Sequence, residues 1–126
     1  MQPVKFLDSA KDILASFNDE AAKRNSISRA YYSAYHTCLI ACDKLNIELP
    51  VTNAGLHARL IAALKDNSQT FYIGTDLADL KKHRTKADYH LGTNISKRDA
   101  EIAIKKAEFL IADVNKLFCS DEEVSD

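Results

Sequence analysis

The segment Ile27-Ser28-Arg29-Ala30-Tyr31-Tyr32-Ser33-Ala34-Tyr35-His36-Thr37-Cys38-Leu39-Ile40-Ala41-Cys42-Asp43-Lys44-Leu45-Asn46 contains no glycine and no proline. Its small residues Ala30, Ala34, Thr37 and Ala41 recur every three or four positions, which places them in one stripe of an α-helix. A stripe of small side chains lets another helix approach closely. Beside it run Tyr31, Tyr35, Cys38, Leu39, Cys42 and Leu45. A long helix over about residues 26–46 is expected, capped by Asn25 or Ser26 and closed before Pro50, which cannot continue it.

On either side the pattern stays helical. Val4, Leu7, Ile13, Leu14 and Phe17 give a first helix near 3–18, broken by Asn18-Asp19-Glu20. Residues 47–54 read as a loop, and Leu56, Leu60, Ile61 and Leu64 carry a short helix over 55–66. Asn67-Ser68-Gln69-Thr70 is turn-like, with Phe71, Tyr72 and Ile73 expected to plug the core from a loop. Thr75 then caps a fourth helix, with Asp76 and Asp79 favouring its positive end. Leu77, Leu80 and Ala87 or Leu91 face inward, and Gly92-Thr93-Asn94 stops the helix. Ser96-x-x-Asp99 has the form of a capping box for a fifth helix over 97–118, with Ile102, Ile104, Phe109, Leu110, Val114 and Leu117 as its apolar face. With only three glycines and two prolines in 126 residues, the expectation is one all-α domain over 1–119: an up-and-down helical bundle of four main helices plus one short one. An acidic, disordered tail is expected over 120–126.

The composition is that of an ordinary globular protein, 46% hydrophobic and 28% charged. No apolar run is long enough to span a membrane. The three cysteines, Cys38, Cys42 and Cys119, lack Cys-x-x-Cys spacing. Cys38 and Cys42 fall four apart on the second helix and read as core residues of a cytoplasmic protein. The net charge of −1 argues against a bulk polyanion binder, but the charge is uneven. Between Lys81 and Lys106 eight cations face three anions, while Asp121, Glu122, Glu123 and Asp126 make the tail acidic. A positive segment of this kind can gather a phosphate backbone on one face.

That segment opens with Lys81-Lys82-His83-Arg84-Thr85-Lys86-Ala87-Asp88-Tyr89-His90-Leu91. Arg84 is a permanent cation whose guanidinium binds phosphate oxygens bidentately. His90 carries an imidazole that can move a proton near neutral pH. Six positions apart, the two would point about 120° apart on an ideal helix. His90 must therefore lie in the last turn or beyond it for both to serve one site, or a second copy must complete that site. An Arg84–Asp88 ion pair at i, i+4 would by itself contribute about 0.3–0.5 kcal/mol and carries no functional weight.

The two strings, 27–36 and 81–91, together resemble the HEPN family of small all-helical domains, whose motif is Arg-x(4–6)-His; here it reads Arg84-x5-His90. The resemblance implies a metal-independent endoribonuclease that acts as a homodimer, with two copies of Arg84 and His90 lining one cleft. Arg84 and His90 are then the catalytic residues. Thr85, Lys86, Asp88, Tyr89, Lys81 and Lys82 around them, and Tyr32 and His36 on the second helix, are the candidates for supporting them or binding RNA. The implied setting is stress response, phage defence or the toxin of a toxin–antitoxin pair. The alternative is a non-catalytic module that binds a nucleotide or a partner such as a nucleotidyltransferase. Thr85 departs from the Asn, Asp or His that often follows the motif arginine.

No cofactor is expected. Asp79, His83 and His90 recur near one helix face and offer a carboxylate and two imidazoles, but no further ligand is identifiable and no metal is assigned. Arg29, Tyr32 and His36 also share a face, where Tyr32 and His36 could stack on a base or simply cap the core. His57 and Arg59 have no assigned partner.

Overall fold

A computed structural model describes the backbone of residues 2–124 and the side chains through 118. Its elements are α1 (Pro3–Ser16), α2 (Glu20–Lys44), α3 (Leu56–Lys65), α4 (Phe71–Tyr89) and α5 (Lys97–Val124), with no strand among the described residues. The result is an all-α helical bundle of four longer helices and the short α3. No helix of the described residues is long and apolar enough to cross a membrane.

Helix α2 is the central element and touches all four others. Ala22, Ile27, Ala30, Tyr31, Ala34, Tyr35, Cys38, Ala41 and Cys42 are all buried along it. They occupy more than one side of the helix, as a helix packed on several neighbours requires. Cys38 and Cys42 are free thiols in this core, and burial raises the pKa of both. The side chain of Cys119 lies outside the described residues.

Two helix starts differ from expectation, each for a local reason. Helix α2 begins at Glu20, six residues before the expected start, because Asp19 caps it by accepting the Ala22 N–H at 2.8 Å. Ser26 is no cap; it is buried within the helix and donates to the Lys23 carbonyl. Helix α4 begins at Phe71 rather than after Thr75, whose hydroxyl bonds back to the Phe71 carbonyl. That start sends Ile73, Leu77 and Leu80 inward, leaving Tyr72 78% exposed and Phe71 also outside the core. In α5 the buried stripe runs through Ala100, Ala103, Ile104, Ala107, Leu110 and Val114. Phe109 falls off it and is exposed, and Leu91 on the loop before α5 is exposed too. The expected capping box is present, with the Ser96 N–H donating to Asp99 and the Asp99 N–H to the Ser96 hydroxyl. The helix then continues to Val124, into the stretch assigned to the tail; residues 125 and 126 lie outside the described residues.

Helices α3 and α4 pack tightly at Gly74. A Cβ there would stand 2.9 Å from Leu64 Cβ and 3.0 Å from the Lys65 backbone nitrogen, neither of which can swing aside. Gly74→Ala is therefore expected to destabilise the fold by about 1–3 kcal/mol, as overpacking does. A urea titration would show this as a lowered midpoint with unchanged slope; an unchanged midpoint would mean the two helices are not this close.

Candidate active site

Arg24, Ser28 and Tyr32 follow one another at intervals of four along a face of α2, and each meets α4. Arg24 binds carbonyls at the end of α4, Ser28 Oγ donates to Asp88 Oδ2 at 3.3 Å, and Arg84 donates to the Tyr32 hydroxyl at 3.2 Å. Rising numbers on α2 meet falling numbers on α4, so the two helices run antiparallel and Arg84 faces the middle of α2.

Arg84 lies in an aromatic surround. Its guanidinium carbon is 5.9, 5.6 and 5.3 Å from the ring centroids of Tyr31, Tyr32 and Tyr89, within the range of cation–π attraction. Asp88 Oδ2 stands 2.9 Å from Arg84 Nε. The Nε–H does not point along that line, so Nε is buried with an ion-pair contact but without a directed hydrogen bond. Nη2 reaches the hydroxyls of Tyr32 and Tyr89. Nη1 makes no hydrogen bond among the described residues. Burial opposes the positive charge, but Tyr32, Tyr89 and Asp88 outweigh it and raise the Arg84 pKa above its ordinary value.

His90 is the residue at which α4 stops. Its N–H still bonds to the Lys86 carbonyl, while its backbone turns to φ −97°, ψ 71° and leaves the helix. The imidazole is exposed. Beside it Tyr89 is 64% exposed and joins the Arg84 cluster through its hydroxyl and ring.

The other candidates separate into two groups. Lys81, Arg84 and Asp88 share the face of α4 turned towards α2 and α3. Lys82 and Lys86 instead line a groove of about 220 Å³ with Asp79, His83, Ile95, Asp99 and Ile27, where α4 meets α2 and the start of α5. The sequence treats these lysines as one patch with Arg84; the helix divides them. Thr85 is half-buried. His36 is held in the aromatic cluster, stacked on Phe6 at 5.5 Å and edge-on to Tyr35 at 5.1 Å. The Asp79 carboxylate is occupied by Lys106 at 2.8 Å and approached by His83 at 3.8 Å, and among the described residues no three His, Cys, Asp or Glu side chains converge as a metal site would need.

A family model for the HEPN domain matches residues 5–117. The chain belongs to the HEPN family. No curated protein and no solved structure matches it. HEPN domains in general are nuclease or nucleotide-binding modules that commonly dimerise and bind RNA.

Two residues that sequence reading leaves without a role contact this cluster. Arg24 is one. The other is His57 on α3, whose Nδ1 is 2.5 Å from the Tyr31 hydroxyl and whose ring stacks on Tyr35 at 4.1 Å. Burial raises the Tyr31 pKa, so the phenol keeps its proton in its hydrogen bond with His57 Nδ1. Nothing around His57 in sequence announces this, because both partners lie on another helix.

Burial, and then the charges of Arg84, Lys81 and His36, lower the pKa of His57 below the ordinary 6.5. The unfolded chain therefore binds this proton more readily than the folded one. The resulting stability is complete above pH 6.5 and is lost as the pH falls through the lowered folded value. Urea midpoints at pH 7 and pH 5 should differ less in His57→Asn than in the parent; an equal difference would show that His57 is not neutral in the fold.

Proposed function

We propose that this HEPN domain is a metal-independent endoribonuclease, acting at a composite site of a homodimer. The observation that carries the reading is the pairing, on one helix, of an exposed histidine at the end of α4 with an arginine six residues before it that is held at the α2–α4 contact. A ribose 2′-hydroxyl loses its proton to a base and its oxygen attacks the adjacent phosphorus. The bond from phosphorus to the 5′-oxygen breaks, and that oxygen takes up a proton. The products are a 2′,3′-cyclic phosphate and a 5′-hydroxyl. His90 moves the proton, a role worth about 10²–10⁴ in rate. Arg84 stabilises the charge that gathers on the non-bridging oxygens. Because the 2′-hydroxyl is the nucleophile, the substrate is RNA. Facing copies of α4 would bring two imidazoles to one phosphate, supplying base and acid together. A toxin or phage-defence role fits such an activity, with an antitoxin or other partner to restrain it.

A second reading, a non-catalytic module that binds a nucleotide or a nucleotidyltransferase, is favoured by two observations. Asp88 and two tyrosines already engage Arg84, and Thr85 replaces the residue more usual after the motif arginine. The deciding experiment is incubation of the purified protein with total RNA and tRNA in EDTA, followed by mapping of the ends. Cleavage leaving cyclic phosphates supports the ribonuclease; no cleavage favours the binding module.

A further inference from the structure

Helix α4 ends against a guanidinium. Arg24 sits in the second turn of α2, only 11% exposed as a side chain. Its Nη1 donates to the carbonyls of Ala87 at 2.8 Å, Lys86 at 3.3 Å and His90 at 3.3 Å, and its Nη2 donates to the carbonyl of Thr93. The last carbonyls of a helix have no partner within it and concentrate the negative end of its dipole. A forked, permanent cation placed there meets both needs at once. The other side of Arg24 is held by Glu20, whose Oε1 accepts from Arg24 Nε at 3.2 Å and also from the Ile95 N–H at 3.0 Å. Glu20 and Arg24 together therefore grip both ends of the 90–95 connection, where α4 stops and where the chain turns into α5.

We propose that Arg24 is a positioning residue for His90, fixing through the carbonyls of Lys86, Ala87, His90 and Thr93 the point and direction at which the imidazole leaves α4. The inference rests on the ribonuclease reading for its catalytic consequence, but not for its structural one. Without the clamp the end of α4 loses its only side-chain cap among the described residues, and the His90 backbone can re-enter the helix or fray. Arg84 lies before the clamped carbonyls and is held from α2 by the Tyr32 hydroxyl and the Tyr31 ring, so phosphate binding survives while proton transfer suffers. A lysine at position 24 keeps the charge but cannot span four carbonyls with one ammonium.

The test compares the parent with Arg24→Ala, Arg24→Lys and Glu20→Gln, using the steady-state kinetics of RNA cleavage in EDTA and the NMR signals of the His90 imidazole. In Arg24→Ala kcat should fall by about 10²-fold, the scale of a 1 Å misplacement, with KM nearly unchanged. The His90 ring signals should shift or multiply, while those of His36 and His57 stay in place. Arg24→Lys should regain thermal stability without regaining kcat, a split that a purely structural role would not produce. Unchanged kcat and unmoved His90 signals in folded variants would overturn the proposal. If Arg24→Ala does not fold, the Lys and Gln variants decide by the same readouts. If the parent protein cuts no RNA, the ribonuclease reading fails by itself, and the His90 signals alone decide whether the clamp sets that side chain.

Discussion

His90→Ala is expected to reduce RNA cleavage by about 10²–10⁴-fold while leaving the fold intact. The two effects separate because of where His90 sits. Its backbone makes the structural contacts, giving its N–H to Lys86 and receiving bonds from Arg24 and Thr93 at its carbonyl. Alanine keeps all of these. The imidazole itself is exposed, and substitutions of exposed side chains usually change stability by no more than about 0.5 kcal/mol. A loss of activity with an unchanged unfolding midpoint would therefore belong to the chemistry. Equal cleavage by parent and variant would place the active site elsewhere or betray a contaminating nuclease. His90→Gln, which keeps a polar side chain but cannot shuttle a proton at neutral pH, should be as inactive as the alanine variant.

The largest expected loss of stability is at Tyr31. Its ring is fully buried between Tyr32, Tyr35 and His57, with the Arg84 guanidinium 5.9 Å away. Truncating a buried aromatic to alanine costs about 3–5 kcal/mol, through lost burial and the cavity left behind. Against a total stability of about 5–15 kcal/mol, that would lower the melting temperature by roughly 10–25 °C in a domain of this size. Tyr31→Phe separates the two functions of the residue. It keeps the ring and removes only the hydroxyl that bonds to His57, at a cost of about 1 kcal/mol. Urea titrations of both variants would measure the difference. An alanine variant within 1 kcal/mol of the parent would mean that Tyr31 does not join α2 to α3 and α4. Because the same ring lines the Arg84 surround, Tyr31→Ala should also weaken cleavage in whatever fraction remains folded, whereas Tyr31→Phe should cleave normally.

The elements were legible in sequence to the extent that a helix depends on its own residues. The short α3 and the capping box of α5 rest on residues within a few positions of one another, and the structure has each where those residues put it; α4 stops at Tyr89, ahead of Gly92, which adopts no left-handed cap. The misplaced starts of α2 and α4 have the same kind of cause. Asp19 is as good a cap as Asn25 or Ser26, and the helix-favouring run of Ala21, Ala22, Lys23 and Arg24 extends α2 back to it. At α4, Phe71, Tyr72 and Ile73 read as a core plug because all three are apolar, yet only Ile73 falls on the same stripe as Leu77 and Leu80. In α5 large side chains drew the expectation towards Phe109, whereas the buried stripe runs through the alanines at 100, 103 and 107.

What the sequence determined by itself is the all-helical class, the HEPN resemblance carried by two short strings, and the presence of Arg84 and His90 on one element with the histidine at its end. The helical class and the place of His90 follow from local periodicity and stop signals, and the family resemblance rests on the residues of the two strings themselves. Only the tertiary structure decided which polar groups meet. The antiparallel packing of α2 on α4 brings Arg24 to the helix end, Ser28 to Asp88 and Tyr32 to Arg84. The packing of α3 beside α2 gives His57 its partners Tyr31 and Tyr35. Those pairings span up to 69 residues in sequence, across a core in which Ile27, Tyr31, Leu77 and Leu80 are buried; no local spacing in the chain records which groups that burial brings together.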